Sequence, residues 1–361
     1  MQQFFNPRSC RIPAKLLIIL SIVLFSAGCR KTPPIIAKQF QQVNLVANTN
    51  AYGAARIDPD FLNGWGIAFS PTGTPWVSSS NNGLSEVWNK DGNIVIPAVT
   101  IPSPGDAVSG GHPSGQVFNV TSDFLLPNGR AARFIFAGLD GIISGWNGGA
   151  SAVTAIDASK NGAAFTGITI ASVEGQPFLY AANFSSGKIS VWDKTWAPVD
   201  MAFFDPSLPA GYAPFNIRNI GGVLYVMYAK VGSDGDEEKG HGLGYVDIFN
   251  PNGSLMKRFV SKAELNAPWG IAQAPDDFWG PDFEAHDVIL VGNFGDGRIN
   301  AYDQSGKFIG ALKSKNKPIE IEGLWEITFA PTTATAVDPG WLYFAAGPED
   351  EADGLFGYIT K

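Results

Sequence analysis

The residues best suited to binding or catalysis are amides and aromatic side chains that recur along the chain. Ala182-Asn183-Phe184 and Gly292-Asn293-Phe294 are near copies, and each is followed by a glycine-containing turn. The amides of Asn183 and Asn293 could bind a ligand or a cation, with Phe184 and Phe294 beside them. In the alternative interpretation, each asparagine caps its own turn and each phenylalanine packs in the core.

Three tryptophans form a second recurring set. Trp65-Gly66-Ile67 and Trp269-Gly270-Ile271 are near copies, and Trp325 begins a looser one. Because an indole offers a flat apolar face and one hydrogen-bond donor, a ring of them suits sugars, aromatic ligands or peptides. Core packing would explain the same residues without any ligand.

Groups for acid–base or metal chemistry are sparse. His112 is the histidine nearest these motifs, and Glu322 and Glu326 flank Trp325 as candidate acids or bases. No G-x-S-x-G or H-E-x-x-H motif occurs, so we assign no catalytic residue. The acidic runs Ser233–His241 and Glu349–Asp353 could hold Ca²⁺, but neither has EF-hand spacing, and solvated loops are the alternative. We therefore expect no cofactor, with Ca²⁺ as the alternative, and the metal stays unknown.

An internal repeat indicates which elements carry these residues. Two markers recur six times, an aliphatic that opens one strand and an aromatic that ends a later one, at spacings between 46 and 58 residues. The aliphatics are Ile67, Val117, Ile168, Ile217, Ile271 and Ile327, and the aromatics are Trp88, Trp146, Trp192, Phe249, Tyr302 and Tyr358. This period is typical of propellers and solenoids.

Each copy contains four short β-rich runs separated by Gly, Pro, Asn and Asp. Six such copies predict an all-β, six-bladed β-propeller. A solenoid would need polar capping repeats, and none is visible. The last copy ends after its third strand, so we expect Phe40–Asn48 to supply the fourth strand and close the ring.

The two recurring sets should meet on one face of the propeller, because antiparallel strands bring the start of the first strand and the turn after the second to the same side. There they would line a central funnel. The predicted ligand-binding residues are Trp65, His112, Asn183, Phe184, Trp269, Asn293, Phe294, Glu322 and Trp325.

The N-terminal segment has the pattern of an export signal. Arg8, Arg11 and Lys15 precede the apolar run 16–25, which is too short to span a bilayer. Ser26-Ala27-Gly28-Cys29 resembles a bacterial lipobox, with an ordinary cleaved signal as the alternative. We expect a lipoprotein signal at 1–28, a tether at 29–39 and the propeller at 40–361, anchored through lipidated Cys29 in a bacterial cell envelope, at the outer membrane.

Composition limits the possible partners. The chain of 361 residues has a formal net charge of −8 and no Lys/Arg cluster, which argues against nucleic acid, whose binding needs phosphate neutralisation. Only Cys10 and Cys29 are present, so removal of the signal leaves no internal disulfide. We expect a monomer with a small-molecule or protein ligand at the funnel.

Two stretches carry a resemblance to a known family. Asn44–Asn50 (NLVANTN) and Asn63–Ala68 (NGWGIA) resemble an uncharacterised family of secreted bacterial proteins, a branch of the NHL-type six-bladed propellers. The similarity covers roughly residues 40 to 360. It implies the fold and export, and it implies no activity.

A looser resemblance is to the calcium-dependent lactonases of the gluconolactonase and senescence-marker type. It implies a metal on the axis, with Asn183 and Asn293 standing for the family's two amide ligands. The first repeat offers Asn63 and Trp65 where those enzymes have a Glu, unless Glu322 substitutes for it. We therefore expect a binding module of the cell envelope, with a Ca²⁺-dependent lactonase-like hydrolase or an envelope scaffold as alternatives.

Overall fold

The repeated β-rich runs form short antiparallel strands in the computed structural model of the chain. The structure describes residues 39–105, 107–279 and 287–361, so the predicted signal peptide, Cys29 and most of the predicted tether lie outside the described residues. Within these ranges, no helix is long and apolar enough to cross a membrane.

The strands fall into six main sheets. In chain order they are β1 (Gln41–Ala47) and β2 (Arg56–Ile57); sheet 1 with β3 (Gly64–Phe69), β4 (Pro75–Ser79), β5 (Leu84–Val87) and β6 (Val99–Thr100); a hairpin of β7 (Pro102–Ser103) and β8 (Ala107–Gly110); sheet 2 with β9 (Pro113–Phe118), β10 (Phe134–Gly138), β11 (Ile142–Trp146) and β12 (Val153–Asp157); and sheet 3 with β13 (Phe165–Val173), β14 (Gln176–Asn183), β15 (Lys188–Asp193) and β16 (Pro198–Val199).

The second half repeats this plan. Sheet 4 has β17 (Tyr212–Ile220), β18 (Val223–Val231), β19 (Glu237–Glu238), β20 (Tyr245–Phe249) and β21 (Leu255–Ser261); sheet 5 has β22 (Pro268–Gln273), β23 (Ile289–Asn293), β24 (Ile299–Tyr302) and β25 (Phe308–Ala311); a hairpin of β26 (Lys313–Ser314) and β27 (Lys317–Pro318) follows; and sheet 6 has β28 (Leu324–Phe329), β29 (Leu342–Ala346) and β30 (Leu355–Thr360). The short helices are α1 (Asp276–Trp279) and the 3-10 turns Asn50–Tyr52, Ser80–Asn82 and Ser159–Asn161.

The first strand of each sheet is the innermost one. In every neighbouring pair of sheets, and also between sheets 6 and 1, these first strands contact each other, so β3, β9, β13, β17, β22 and β28 form a closed ring. The second, third and fourth strands follow outward in chain order, except in sheet 6. The predicted six-bladed β-propeller is confirmed.

Both repeat markers lie where the sequence predicted. All six aliphatics are in first strands; five are fully buried and Val117 is half-buried. The aromatics lie in the third strands, except Trp88, which directly follows β5 and is buried. Second strands such as β10 and β29 are buried along their whole length, because neighbouring sheets cover both of their faces.

The ring is closed by the N-terminal strand, as predicted. Strand β1 pairs antiparallel with β30, from Gln41 opposite Thr360 to Ala47 opposite Leu355, and so supplies the fourth strand of sheet 6. Val46 and Ala47 are fully buried there. The strand therefore adds both backbone pairing and apolar burial to the three C-terminal strands of this sheet, and β2 pairs with its outer edge.

A backbone irregularity recurs in the inner strands. In all six sheets, the register between the first and second strands shifts near the start of the first strand. Such bulges re-aim a side chain, and here the skipped residues include Trp65, Phe215, Trp269 and Trp325. Glycine beside these residues allows neighbouring inner strands to approach closely. A Cβ on Gly66 of β3 would lie only 2.6 Å from the Ser114 carbonyl oxygen of β9, which is too close.

Removal of β1 should open the ring. A truncated chain that starts at Asn50 leaves the outer edge of β30 unpaired, so we expect its Tm to fall by roughly 10 °C or more, or the chain to fail to fold. A chain that starts at Gln39 retains β1 and should melt like the full-length protein. Thermal denaturation followed by circular dichroism measures both, and equal Tm values for the two truncated chains would contradict this closure.

Candidate functional site

Aromatic side chains meet on the axis at the top face, defined here as the face where the first strand of each sheet begins. We call them the aromatic cluster: Trp65, Phe184, Phe215, Trp269, Phe294 and Trp325. Trp325 lies at its centre, with its ring centroid 3.6 Å from that of Trp65 and 3.9 Å from that of Phe294. The cluster joins side chains from sheets 1, 3, 4, 5 and 6.

The cluster is closed. Its three indoles are between 1% and 3% exposed. The Trp269 Nε1–H donates to the Thr166 carbonyl oxygen at 3.0 Å, and the Trp325 Nε1–H donates to Asn63 Oδ1 at 3.0 Å. The ring faces that the sequence analysis assigned to a ligand are therefore covered by other rings. Ligand binding by these tryptophans stays a prediction, and it would require the cluster to open.

The two asparagine side chains form hydrogen bonds to the turns that follow them and to neighbouring loops. Asn183 Oδ1 accepts hydrogen bonds from the Ser185 hydroxyl at 3.0 Å and the Ala164 backbone N–H at 3.3 Å. Asn293 Nδ2 donates to the Glu264 carbonyl oxygen at 2.7 Å and to Asp296 Oδ1 at 3.1 Å. The bonds to Ser185 and Asp296 are the turn capping that the sequence left open as the alternative, whereas Ala164 and Glu264 lie in the loops before β13 and β22. The two adjacent phenylalanines reach the axis.

The structure does not bring the remaining predicted residues into the cluster. His112 is exposed and lies near Asp140. Burial raises the pKa of Asp140 above its usual value, and the charge of His112 offsets part of this increase. Glu322 is also exposed, and its charge acts on the Tyr52 phenol, whose pKa is raised mainly by burial. Neither side chain has a hydrogen bond to the aromatic cluster in the described ranges.

The two acidic runs are ordered and approach each other at the top face. Glu237 lies in β19, which pairs with β18, and burial raises its pKa to about 7, with the charge of Glu351 adding to the effect. Asn63 Nδ2 donates to Glu351 Oε2 at 2.8 Å. In the part of the chain that the structure describes, no group of three or more His, Cys, Asp or Glu residues could hold a metal ion.

An open cavity lies on the axis at the bottom face, where the first strands end. Its volume is about 310 Å³, and we call it the axial pocket. Inner strands of sheets 1, 2, 3, 4 and 6 line it through Ile67, Ala68, Phe69, Gln116, Val117, Phe118, Thr169, Ile170, Arg218, Asn219, Thr328 and Phe329, together with Pro331.

A single ion pair spans the axis beside this pocket. Arg218 from β17 reaches across to β28, where its Nη1 lies 3.2 Å from Glu326 Oε2 and its Nη2 donates to the Thr328 hydroxyl at 2.7 Å. The Arg218 side chain is 25% exposed, while that of Glu326 is 3% exposed. The guanidinium is therefore fixed by β28, and Arg218 lines the cavity with N–H donors beyond those two contacts.

Glu326 is held in an environment that opposes its charge. Complete burial raises its pKa from 4.5 to about 7, although Arg218 and the backbone amides of Ile327 and Ile67 lower it. Its Oε1 atom is buried and has no hydrogen-bond partner among the described residues. Buried ion pairs often add little net stability to a protein. A buried carboxylate with a raised pKa on the axis is therefore a candidate functional group.

Arg218 was missed by the motif search, although the repeat contains a signal for it. The residue after the aliphatic marker is Ala68, Phe118, Thr169, Arg218, Ala272 or Thr328, and the residue before it is Gly66, Gln116, Gly167, Asn216, Gly270 or Glu326. Arg218 and Glu326 are the only charged residues at these two positions.

The fold and the axial pocket define a six-bladed β-propeller with a polar site on its axis.

The chain belongs to the same family as two uncharacterized proteins of Acanthamoeba polyphaga mimivirus. It is 31% identical to one over 337 residues, which cover 89% of this chain and 80% of the relative. It is 30% identical to the other, covering 88% and 84%. No protein-family model matches the chain. Because these relatives are viral, the bacterial origin implied by the resemblance is not supported.

Solved structures share the fold. Virginiamycin B lyase from Staphylococcus aureus superposes with a TM-score of 0.50 at 14% identity, covering 90% of this chain and 99% of the lyase. A streptogramin B lyase structure gives a TM-score of 0.50 at 13% identity, covering 89% and 97%. A protein of unknown function from Bacteroides thetaiotaomicron gives 0.53 at 11%, covering 83% and 70%. At these identities the likeness concerns the fold alone.

The raised pKa of Glu326 predicts a pH-dependent difference between the protein and its Glu326→Gln variant. Between pH 4.5 and about pH 7 the folded protein keeps a proton on Glu326 that the unfolded chain releases, so stability falls as pH rises. The Glu326→Gln variant has no such carboxyl group and should not show this decrease. As the pH rises across that window, we expect the free energy of unfolding of the variant to increase relative to that of the wild type by up to about 3 kcal/mol.

Urea denaturation at pH 4, 5, 6, 7 and 8 measures this difference. The surface variant Glu320→Gln, which also removes one carboxylate paired with an arginine, is the control. Parallel stability profiles for wild type and Glu326→Gln would show that Glu326 does not titrate as its burial requires.

Proposed function

We propose that this protein is a ligand-binding propeller whose axial pocket binds an anionic group of a small-molecule ligand. The observation that carries the proposal is the position of Arg218, fixed by Glu326 and Thr328 at a cavity on the propeller axis. Carboxylate and phosphate are the groups that a guanidinium recognises best, because its donors match their geometry.

The burial of Arg218 favours strong anion binding. A charge that is three-quarters buried is already partly desolvated, so a ligand pairs with it at a lower solvation cost than at an exposed arginine. Glu326 neutralises part of this charge. Because its pKa lies near 7, a ligand anion that stabilises Arg218 would compete with Glu326 for the guanidinium and favour protonation of the glutamate.

The rest of the pocket suits an apolar ligand body. Phe69, Phe118 and Phe329 are among its lining residues, and so is the polar residue Thr169. Its volume of about 310 Å³ is at the lower end of the range for small-molecule sites. A ligand of roughly the size of a monosaccharide or an aromatic acid fits this description.

Catalysis is a separate question. Two of the structural neighbours are lyases with the same fold, but this likeness assigns no catalytic residue to this chain. The calcium-dependent lactonase alternative needs amide ligands on the axis, whereas the Asn183 amide oxygen accepts from the Ser185 hydroxyl and the Asn293 amide nitrogen donates to the Glu264 carbonyl oxygen. We therefore base the proposal on binding at the axial pocket.

Export and anchoring are part of the same proposal. The apolar run 16–25 and the lipobox-like sequence before Cys29 support secretion followed by lipidation, which would place the propeller at a bacterial envelope, as a monomer. A binding protein on a surface meets its ligand outside the cell.

Small aromatic anions test the axial pocket directly. We expect millimolar phenylacetate to raise the Tm of the protein and neutral phenylacetamide to leave it unchanged, because only the carboxylate pairs with Arg218. The double variant Arg218→Leu/Glu326→Gln, which removes both charges and leaves none unpaired, should lose the response to phenylacetate. Arg298→Gln, on the surface, is the control. Equal stabilisation of wild type and double variant would contradict the site.

Lipidation predicts a separate result. In a bacterial host, the full-length chain should take up radiolabelled palmitate and fractionate with membranes, while Cys29→Ser should do neither, because acylation requires the thiol. Cys10→Ser, which changes the other cysteine, should behave like wild type. Membrane association that persists in Cys29→Ser without label would contradict this anchor.

A further inference from the structure

A second cavity adjoins the axial pocket at the bottom face. This side groove lies between sheets 1 and 2, has a volume of about 450 Å³, and is lined by Pro71, Phe118, Asn119, Val120, Thr121, Arg130, Ala131, Ala132, Arg133 and Asn147. Phe118 lines both cavities, so the two are neighbours that share one wall.

Two arginines in the side groove lack carboxylate partners. Arg130 and Arg133 are exposed and form no ion pair with any described residue. In contrast, Arg218, Arg258 and Arg298 each pair with a carboxylate. The formal net charge of the chain is −8, so two unpaired guanidinium groups in one groove are a local exception to an acidic protein.

The backbone that carries these arginines is held firmly. Asn119 Nδ2 donates to the Asp123 and Ala132 carbonyl oxygens at 3.0 and 2.9 Å. From the other side of the loop, Asn147 Nδ2 donates to the Arg130 carbonyl oxygen at 3.1 Å. The asparagines are thus committed to the loop, and the arginine side chains are the groups left to meet a ligand. A fixed loop lowers the entropy cost of binding.

We infer that the natural ligand is an elongated molecule with two anionic groups, one held by Arg218 in the axial pocket and the other by Arg130 and Arg133 in the side groove. This inference rests on the proposed function of the axial pocket and specifies its ligand. Phe118, which lines both cavities, marks the place where they adjoin. Carboxylates and phosphates share the required chemistry.

Matched pairs of probes separate the two possible sources of the anionic groups. D-galacturonate and trigalacturonate carry one and three carboxylates, and glucose 1-phosphate and glucose 1,6-bisphosphate carry one and two phosphates. Isothermal titration calorimetry on the full-length protein should show that the longer member of at least one pair binds about tenfold more tightly than its shorter partner. The pair that does so identifies the source.

The variants assign that gain to the side groove. Arg130→Gln/Arg133→Gln should remove the roughly tenfold advantage of the longer probe and leave the Kd of the shorter probe within about twofold of wild type. Lys160→Gln, an exposed cation on the 3-10 turn between sheets 2 and 3, should change neither. Because Arg130 and Arg133 are exposed, their loss should leave the Tm unchanged.

The outcomes separate a failure of the elongated-ligand inference from a failure of the proposed function on which it rests. If shorter and longer probes bind equally, and both lose affinity in Arg218→Leu/Glu326→Gln, the axial pocket stands and the elongated ligand is wrong. A longer probe that keeps its advantage in Arg130→Gln/Arg133→Gln would also overturn the elongated ligand. If no probe binds, or every probe binds the axial variant as it binds wild type, both the proposed function and this inference fail.

Discussion

The structure depends on the packing of six inner strands around one axis. Close approach of these strands requires residues without side-chain bulk, and a Cβ on Gly66 or Gly270 would collide with the backbone of the next inner strand. At the start of each strand, a bulge directs a side chain toward the axis. Six aromatic rings therefore fill the axis at the top face, and the open cavity lies at the bottom face.

The two ends of the axis have different physical roles. At the top, Trp325 stacks on Trp65 and Phe294, and the resulting cluster is as dry as a protein core. Toward the bottom, Arg218 and Glu326 hold a charged pair that hydrophobic residues would replace without loss of stability. Arg218 of this pair lines the open cavity, which is where the proposed ligand would meet the guanidinium.

The fold was predictable from the sequence, and the site was not. Two markers with one period define six sheets, and a last copy without its fourth strand implies closure by the N-terminal segment, which β1 supplies. The same reasoning brought Trp65, Trp269 and Trp325 to one face. It could not show that the rings cover one another, because that depends on their distance from the axis. Arg218 and Glu326 became visible only as charged exceptions within aligned repeats.

We place the proposed ligand site on the axis at Arg218 and not at the aromatic cluster. A crystal structure of the protein soaked with 4-iodophenylacetate tests this placement most directly, because anomalous scattering locates the iodine independently of the surrounding atoms. We expect a peak in the axial pocket, with the carboxylate on the guanidinium of Arg218. A peak among Trp65, Trp269 and Trp325 at the top face, with the axial pocket empty, would contradict it.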